Sequence, residues 1–161
     1  DITVVDMADS RLARARALGA NTTINPGSED VFEALCRTHG KGDVFGWPVA
    51  NANLWFEVTG VGAVLQSLVT MAPFHAKLVI VAVHHTEVPI NFQIALAKEL
   101  SFEMSLAYPD EFPAVIAALC DTSVDISPLV SHTYGFGDFL EAFAVSQDKH
   151  NSAKVLVHCH E

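Results

Sequence analysis

The sequence predicts an α/β fold, a mostly parallel sheet with helices on both faces, and three observations carry that expectation. Strand-sized apolar and β-branched runs alternate with helical segments along the chain. The longest such run, Leu78 to Val83, is continuously apolar, as in a strand covered on both faces. The stretches between early strands hold the dozen or more residues that a parallel crossover needs.

Ile2 to Val5 is a β-branched run ending in Asp6, and Ser10 to Leu18 carries Ala, Leu and Arg at helical density before Gly19 stops it. Thr22 to Ile24 makes a second strand and Asn25-Pro26-Gly27 a turn. Ser28-Glu29-Asp30 then gives an acidic start to a helix through Val31, Leu35 and Thr38, ended by Gly40 and Gly42. Leu54 to Val58 is the next strand and Thr59-Gly60 a tight turn, after which Val61, Val64, Leu65, Leu68 and Val69 share one helical face. Leu78 to Val83 should be central and buried. A short helix over Ile94 to Lys98 precedes strand Ser101 to Leu106. Pro109-Asp110-Glu111 opens a helix with Phe112, Val115, Ile116 and Leu119 at i, i+3, i+4 and i+7. Val130 to Tyr134 reads as extended, Asp138 to Ala144 as a helix with Phe139, Leu140 and Phe143 inward, and Ala153 to His158 as a closing strand.

Composition narrows the partners. Of 161 residues half are hydrophobic, and 9 Lys and Arg against 19 Asp and Glu give a net charge of -10. That length and apolar content suit one well-cored domain. A negative field without any Lys/Arg cluster disfavours nucleic acid and anionic membrane surfaces. No apolar run approaches the roughly 20 residues that cross a bilayer. The chain opens Asp1-Ile2-Thr3-Val4-Val5-Asp6, without an initiator Met or a cleavable apolar segment, so it is expected to start inside a structural element with no targeting signal. Cys36, Cys120 and Cys159 are odd in number and far apart, which suits reduced thiols and a cytoplasmic location.

Parallel sheets bind ligands beyond the carboxyl ends of their strands, which directs attention to Asp6, Val58-Thr59-Gly60, Val81 to His85 and Ser105-Leu106. These four segments are expected to converge. An Asp ending a β-branched strand before a helix is what a dinucleotide fold uses to accept hydrogen bonds from the adenosine ribose hydroxyls. The same carboxylate repels a 2′-phosphate, and Met7 and Ala8 supply no compensating Arg, so NAD is favoured over NADP. The alternative is an ordinary turn residue beside a helix.

The strings V-V-D-M-A-D-S-R-L-A-R-A-R-A-L-G-A, I-N-P, F-E-V-T-G, L-V-I-V-A-V, K-E-L-S-F-E-M-S-L-A-Y, V-D-I-S-P-L-V-S-H and A-K-V-L-V, in this order and spacing, resemble the cofactor domain of the zinc-dependent medium-chain alcohol dehydrogenases. The resemblance covers essentially the whole chain and lies nearest the polyol and butanediol dehydrogenase branch. It implies a Rossmann-like sheet that binds NAD in an oxidoreductase moving a hydride between nicotinamide and an alcohol or carbonyl substrate. Asp6 would hold the adenosine ribose and Arg11 would reach it from the following helix. Thr59 and Gly60 would lie along the cofactor, and the backbone of Val81, Ala82 and Val83 would meet the nicotinamide carboxamide. Ser105 and Leu106 would contact the nicotinamide from the next strand, and Lys154 would approach the pyrophosphate, whose charge a cation neutralises.

The sequence departs from that pattern in several places. The glycine-rich phosphate turn and first βα unit are not present, nor is the catalytic domain that would carry zinc and the proton relay, so the chain reads as an incomplete dinucleotide-binding domain spanning 1–161 with no catalytic or metal-ligating residues of its own. Strands flanking the missing central one would leave a gap, expected to close, to pair with another chain, or to cost stability. Phe74-His75 stands for a usual Gly-Gly and Met104 for a usual Gly, while Gly42 to Asn53, with Phe45, Trp47 and Pro48, is long and reads as an Ω-loop packed on its own aromatics, the alternative being an interaction loop.

Other chemistry-bearing residues have plain readings. His84-His85 is either a loop pair or a donor to a cofactor carboxamide or substrate oxygen. His158, His160 and Glu161 could hold a transition metal adventitiously, with Cys159 packing on the opposite face. Glu57, inside an apolar strand, needs a partner or a proton and reads as structural. No hydrolase triad or P-loop is legible. Two functions remain: the NAD-binding part of a zinc-dependent alcohol or polyol dehydrogenase, inactive by itself, or an assembly module that forms a homodimer through edge strand Ser101 to Leu106.

Overall fold

The computed structural model describes residues 1–108, 110–121, 123, 125–148 and 150–159. Pro109, expected to open a helix, and His160 and Glu161, expected beside His158 in an adventitious metal site, lie outside the described residues. Two compact units emerge, one of Asp1–Val31 with Pro109–Glu161, the other of Phe32–Tyr108.

In the first unit, β1 (Thr3–Val5) runs parallel to β2 (Thr22–Ile24), joined by α1 (Asp9–Ala17). Leu12 and Ala8 of this crossover are buried, as is Ile24. Helix α5 is Phe112–Cys120, with Pro113 in its first turn, where a missing amide costs nothing. After it come β8 (Val130–Gly135), α6 (Phe139–Ser146) and β9 (Lys154–His158), with β8 parallel to β9. The register slips between Val130 and His132. At the slip, the Ser131 hydroxyl donates to the Lys154 carbonyl at 3.1 Å and accepts from the Ala153 amide at 2.9 Å, so a side chain restores what the ladder loses.

In the second unit, α2 (Val31–His39) leads into an antiparallel pair, β3 (Lys41–Val44) and β4 (Trp47–Ala50). A three-stranded parallel sheet follows: β5 (Leu54–Glu57), β6 (Lys77–Ile80) and β7 (Ser101–Met104), with α3 (Gly62–Met71) and α4 (Phe92–Ala97) as crossovers. Trp55, Glu57, Leu78 and Ile80 share the buried face, and Leu65, Leu68 and Val69 of α3 are buried as well. Period-two alternation leaves Leu54 and Phe56 exposed on the other face. Asn91 caps α4, its side-chain oxygen accepting from the Ile94 amide at 3.2 Å.

The α/β class and the parallel pairing follow the sequence, and several finer expectations do not. The strand expected over Leu78 to Val83 ends at Ile80, and Val81 and Val83 are exposed. A β-branched apolar run fixes extended backbone but not where the neighbouring strands stop. Likewise β7 ends at Met104 rather than Leu106. The Gly42 to Asn53 segment is a hairpin, not an Ω-loop: Val44 pairs with Trp47 across Phe45-Gly46, both at positive φ, +52° and +87°. Two left-handed residues in sequence give the turn the twist of its strands, and Phe45 is left 80% exposed at the tip rather than packed. Phe139, Leu140 and Phe143 are exposed, not inward, with Ala142 the buried residue of α6. The Phe112, Val115, Ile116 and Leu119 stripe is likewise exposed. Periodicity makes the helix but does not supply the surface that would cover it. Cys159 is exposed, not packed. Among the described residues β1 pairs with β2 alone and β5 with β6 alone.

Candidate functional site

Residues expected to touch a ligand fall into a group in each unit. In the first, Asp6 ends β1, and its amide donates to the Ile24 carbonyl of β2 at 3.2 Å, which holds the strand end in place. One carboxylate oxygen accepts from the Ala8 amide at 2.8 Å, ordering the turn into α1. The other lies 3.8 Å from Arg11 Nη1, with both side chains part-exposed. Arg11, one turn into α1, also donates to the Ser152 carbonyl at 3.4 Å through Nε and Nη2. Asp6 and Arg11, both of which the resemblance directs to one ribose, lie beside each other here, with side chains 31% and 39% exposed. Lys154, two residues beyond Ser152, is exposed at the start of β9.

In the second unit, the exits of β5, β6 and β7 form the other group. The Val81 and Ala82 amides donate to the Glu57 carbonyl at 2.9 and 3.2 Å, and the Ser105 amide donates to the Ile80 carbonyl at 3.0 Å. Val81 to Val83 and Ser105 therefore stay fastened to the sheet after regular pairing stops. Gly60 has φ +70°, and a Cβ built there would lie 2.8 Å from the Val83 carbonyl oxygen. This is a close approach that only glycine permits. Thr59, Val81, Val83, Ser105 and Leu106 are exposed and Ala82 is half-buried, which presents the backbone of the Val81 to Val83 turn with little side-chain cover.

Glu57 organises this group from beneath. It is 1% exposed, and one oxygen accepts from the Thr59 amide at 2.8 Å, from the Thr59 hydroxyl, and from the Gly60 amide at 3.1 Å. The other oxygen meets His84 Nε2 at 2.9 Å. Burial alone would raise this carboxyl, but the hydrogen bonds from Thr59, Gly60 and His84 outweigh it and hold the group below its usual range. His84 lies in the loop that follows β6, the first of its two readings, and its Nε2 pairs with Glu57 there.

Two features show only in the structure, the burial of Lys98 and the conformation of His75. Lys98, at the end of α4, is fully buried, and its ammonium donates to the Thr70 and Val69 carbonyls at 2.6 and 3.3 Å, at the C-terminal end of α3. A cation there complements the helix dipole. The one sequence signal was a lysine closing the apolar run Ile94 to Ala97. The other is His75, which holds φ +61° at a place where the resemblance expects Gly, stacks on Phe74 with ring centroids 4.0 Å apart and meets Glu99 at 2.8 Å. Among the described residues no three of His, Cys, Asp and Glu gather to hold a metal, and no helix is long and apolar enough to cross a membrane.

Comparison with known proteins places these features in company. A family model described as zinc-binding dehydrogenase matches residues 1–121. Sorbitol dehydrogenase of Ovis aries is 26% identical over 158 residues, covering 98% of this chain and 43% of that protein. The crystal structure of 2R,3R-butanediol dehydrogenase from Bacillus subtilis superposes with a TM-score of 0.83 at 25% identity, over 99% of this chain and 44% of that one. A short chain alcohol dehydrogenase from E. coli CFT073, complexed with cofactor NADH, gives 0.83 at 25% identity, over 98% and 44%. The chain thus spans less than half the length of each of these relatives.

Proposed function

This chain belongs to the zinc-binding dehydrogenase family, and we propose that it is the part of an NAD-binding domain that follows the first βα unit, in an oxidoreductase acting on small alcohols or polyols. The observation that carries the reading is Asp6 at the end of β1, one oxygen tied to the Ala8 amide and the other beside Arg11. That arrangement fits an adenosine ribose. A carboxylate accepts from ribose hydroxyls, Arg11 donates to them, and a 2′-phosphate would meet the negative charge first. Lys154 would neutralise the pyrophosphate.

In the second unit, Thr59, Gly60, the backbone of Val81, Ala82 and Val83, and Ser105 and Leu106 would receive the nicotinamide half. The missing Cβ at Gly60 and the exposure of Val81 and Val83 at the β6 exit support this. These residues bind and orient. When bound, the cofactor would supply hydride transfer between its nicotinamide C4 and the substrate carbon. Zinc, when bound in such enzymes, acts as a Lewis acid on the substrate oxygen.

A second reading rests on a separate observation. Among the described residues β7 is an edge strand, with Met104 74% exposed and Leu106 exposed just beyond its end. Such an edge suits augmentation by a second copy, and a cytoplasmic homodimer is consistent with both readings. Calorimetric titration of the folded chain with NAD separates them. Saturable heat supports the nucleotide reading, and no heat at millimolar NAD leaves assembly alone.

A further inference from the structure

The structure assigns Glu57 and His84 a joint role as a positioning pair that fixes the β5 and β6 exits against each other, so that the Thr59-Gly60 turn and the Val83 carbonyl hold the spacing the nicotinamide half requires. This rests on the NAD-binding reading above and adds to it two residues that touch no cofactor atom.

Two strand exits that leave a parallel sheet side by side are free to splay once ladder pairing stops, and here it stops at Glu57 on β5 and Ile80 on β6. What continues the hold past the ladder is a single residue, Glu57. One Glu57 oxygen gathers the turn after β5 through the amides of Thr59 and Gly60 and the Thr59 hydroxyl. The other oxygen reaches across to His84, which follows Val83 at the end of the β6 exit. The Glu57 backbone carbonyl takes the Val81 and Ala82 amides from the same exit. Side chain and main chain of one residue thus hold both turns.

The close approach of Gly60 to Val83 shows what that grip achieves. With 2.8 Å between a would-be Cβ and the Val83 oxygen, the turns touch backbone to backbone. Thr59 Oγ1 also accepts from the Val61 amide at 3.1 Å, carrying the grip into the start of α3. A buried carboxylate with every near partner a hydrogen-bond donor is a rigid anchor rather than an exchangeable one. An apolar residue at 57 would suit an ordinary strand core, since Trp55, Leu78 and Ile80 surround that face. The carboxylate earns its place only through the turns it ties.

The test compares the full chain with Glu57→Gln and His84→Leu, titrating each with NAD and with AMP, which lacks the nicotinamide half. Amide NMR shifts of Thr59 and Gly60 serve as the signature of the carboxylate bond. Glutamine keeps the size of Glu57 and most of its acceptor geometry, so E57Q stays folded, and H84L leaves the Thr59 and Gly60 bonds in place as a second probe. We expect both variants to bind NAD about tenfold more weakly, the scale of losing one charge-assisted bond. AMP affinity should stay within about twofold, below the factor that one such bond contributes, and the double variant should lose less than the two single losses combined. Thr59 and Gly60 amides should move upfield in E57Q. Unchanged NAD affinity in both variants, or equal losses for NAD and AMP, would overturn the positioning role while leaving NAD binding standing. A folded wild-type chain that takes neither nucleotide would overturn the NAD reading, and the positioning role with it.

Discussion

The backbone of Gly60 runs so close to Val83 that a Cβ on the glycine would stand 2.8 Å from the Val83 carbonyl oxygen, at φ +70°. Both facts act against any side chain there. Gly60→Ala is expected to destabilise the chain by about 1–3 kcal/mol, the usual cost of a strained left-handed residue pressed on backbone. Urea unfolding measures it, and an unchanged midpoint would mean the turns are free to move apart.

Acid should act on Glu57 with a defined sign. Its folded carboxyl is held below the ordinary 4.5, so the folded state favours the ionised form. That contribution is complete above the unfolded value and lost as pH falls through the folded one. Urea midpoints of wild type followed from neutral pH through 4.5 and lower should therefore drop more steeply than those of Glu57→Gln. Parallel curves would show that the buried carboxyl does not titrate differently on folding.

Lys98 predicts the opposite limb. Burial lowers its ammonium below the usual 10.5, so between the folded and unfolded values the unfolded chain binds more protons and stability rises with pH. The gain is absent below the folded value and complete above 10.5. Lys98→Met removes this group, and its midpoints should lack the alkaline rise that wild type shows. If both proteins trace the same alkaline limb, the ammonium is solvated.

Phe45 occupies the first left-handed position of a two-residue turn that Asn-Gly fills best. Its ring is exposed, so nothing is lost from packing. Phe45→Asn should stabilise the chain by about 0.5–1 kcal/mol, read as a higher Tm in thermal unfolding. A lower Tm would mean the ring is covered in solution.

Much of the framework was legible because periodicity and punctuation are local. Thr22 to Ile24 forms as read, and the helices over Asp9–Ala17 and Gly62–Met71 sit where their apolar spacing put them. Asp6 and Arg11 were singled out separately, and they lie 3.8 Å apart because a strand end and the first turn of the next helix are close in such a unit. What failed depended on partners. The apolar faces of α5 and α6 predict helices, but burial needs a neighbour that periodicity does not name. The hairpin at Phe45-Gly46 was missed because phenylalanine gives no signal for positive φ. Glu57 was recognised as needing a partner, yet His84, twenty-seven residues on, could be identified only from the parallel register of β5 and β6.

The most direct test is calorimetric titration of the chain with NAD and NADP, in wild type and in Asp6→Ala. The account predicts saturable NAD binding, NADP weaker by tenfold or more, the effect of a 2′-phosphate against the Asp6 carboxylate, and loss of most NAD affinity together with that discrimination in the variant. Equal affinity for the two nucleotides, or an Asp6→Ala chain that binds NAD as wild type does, would contradict it.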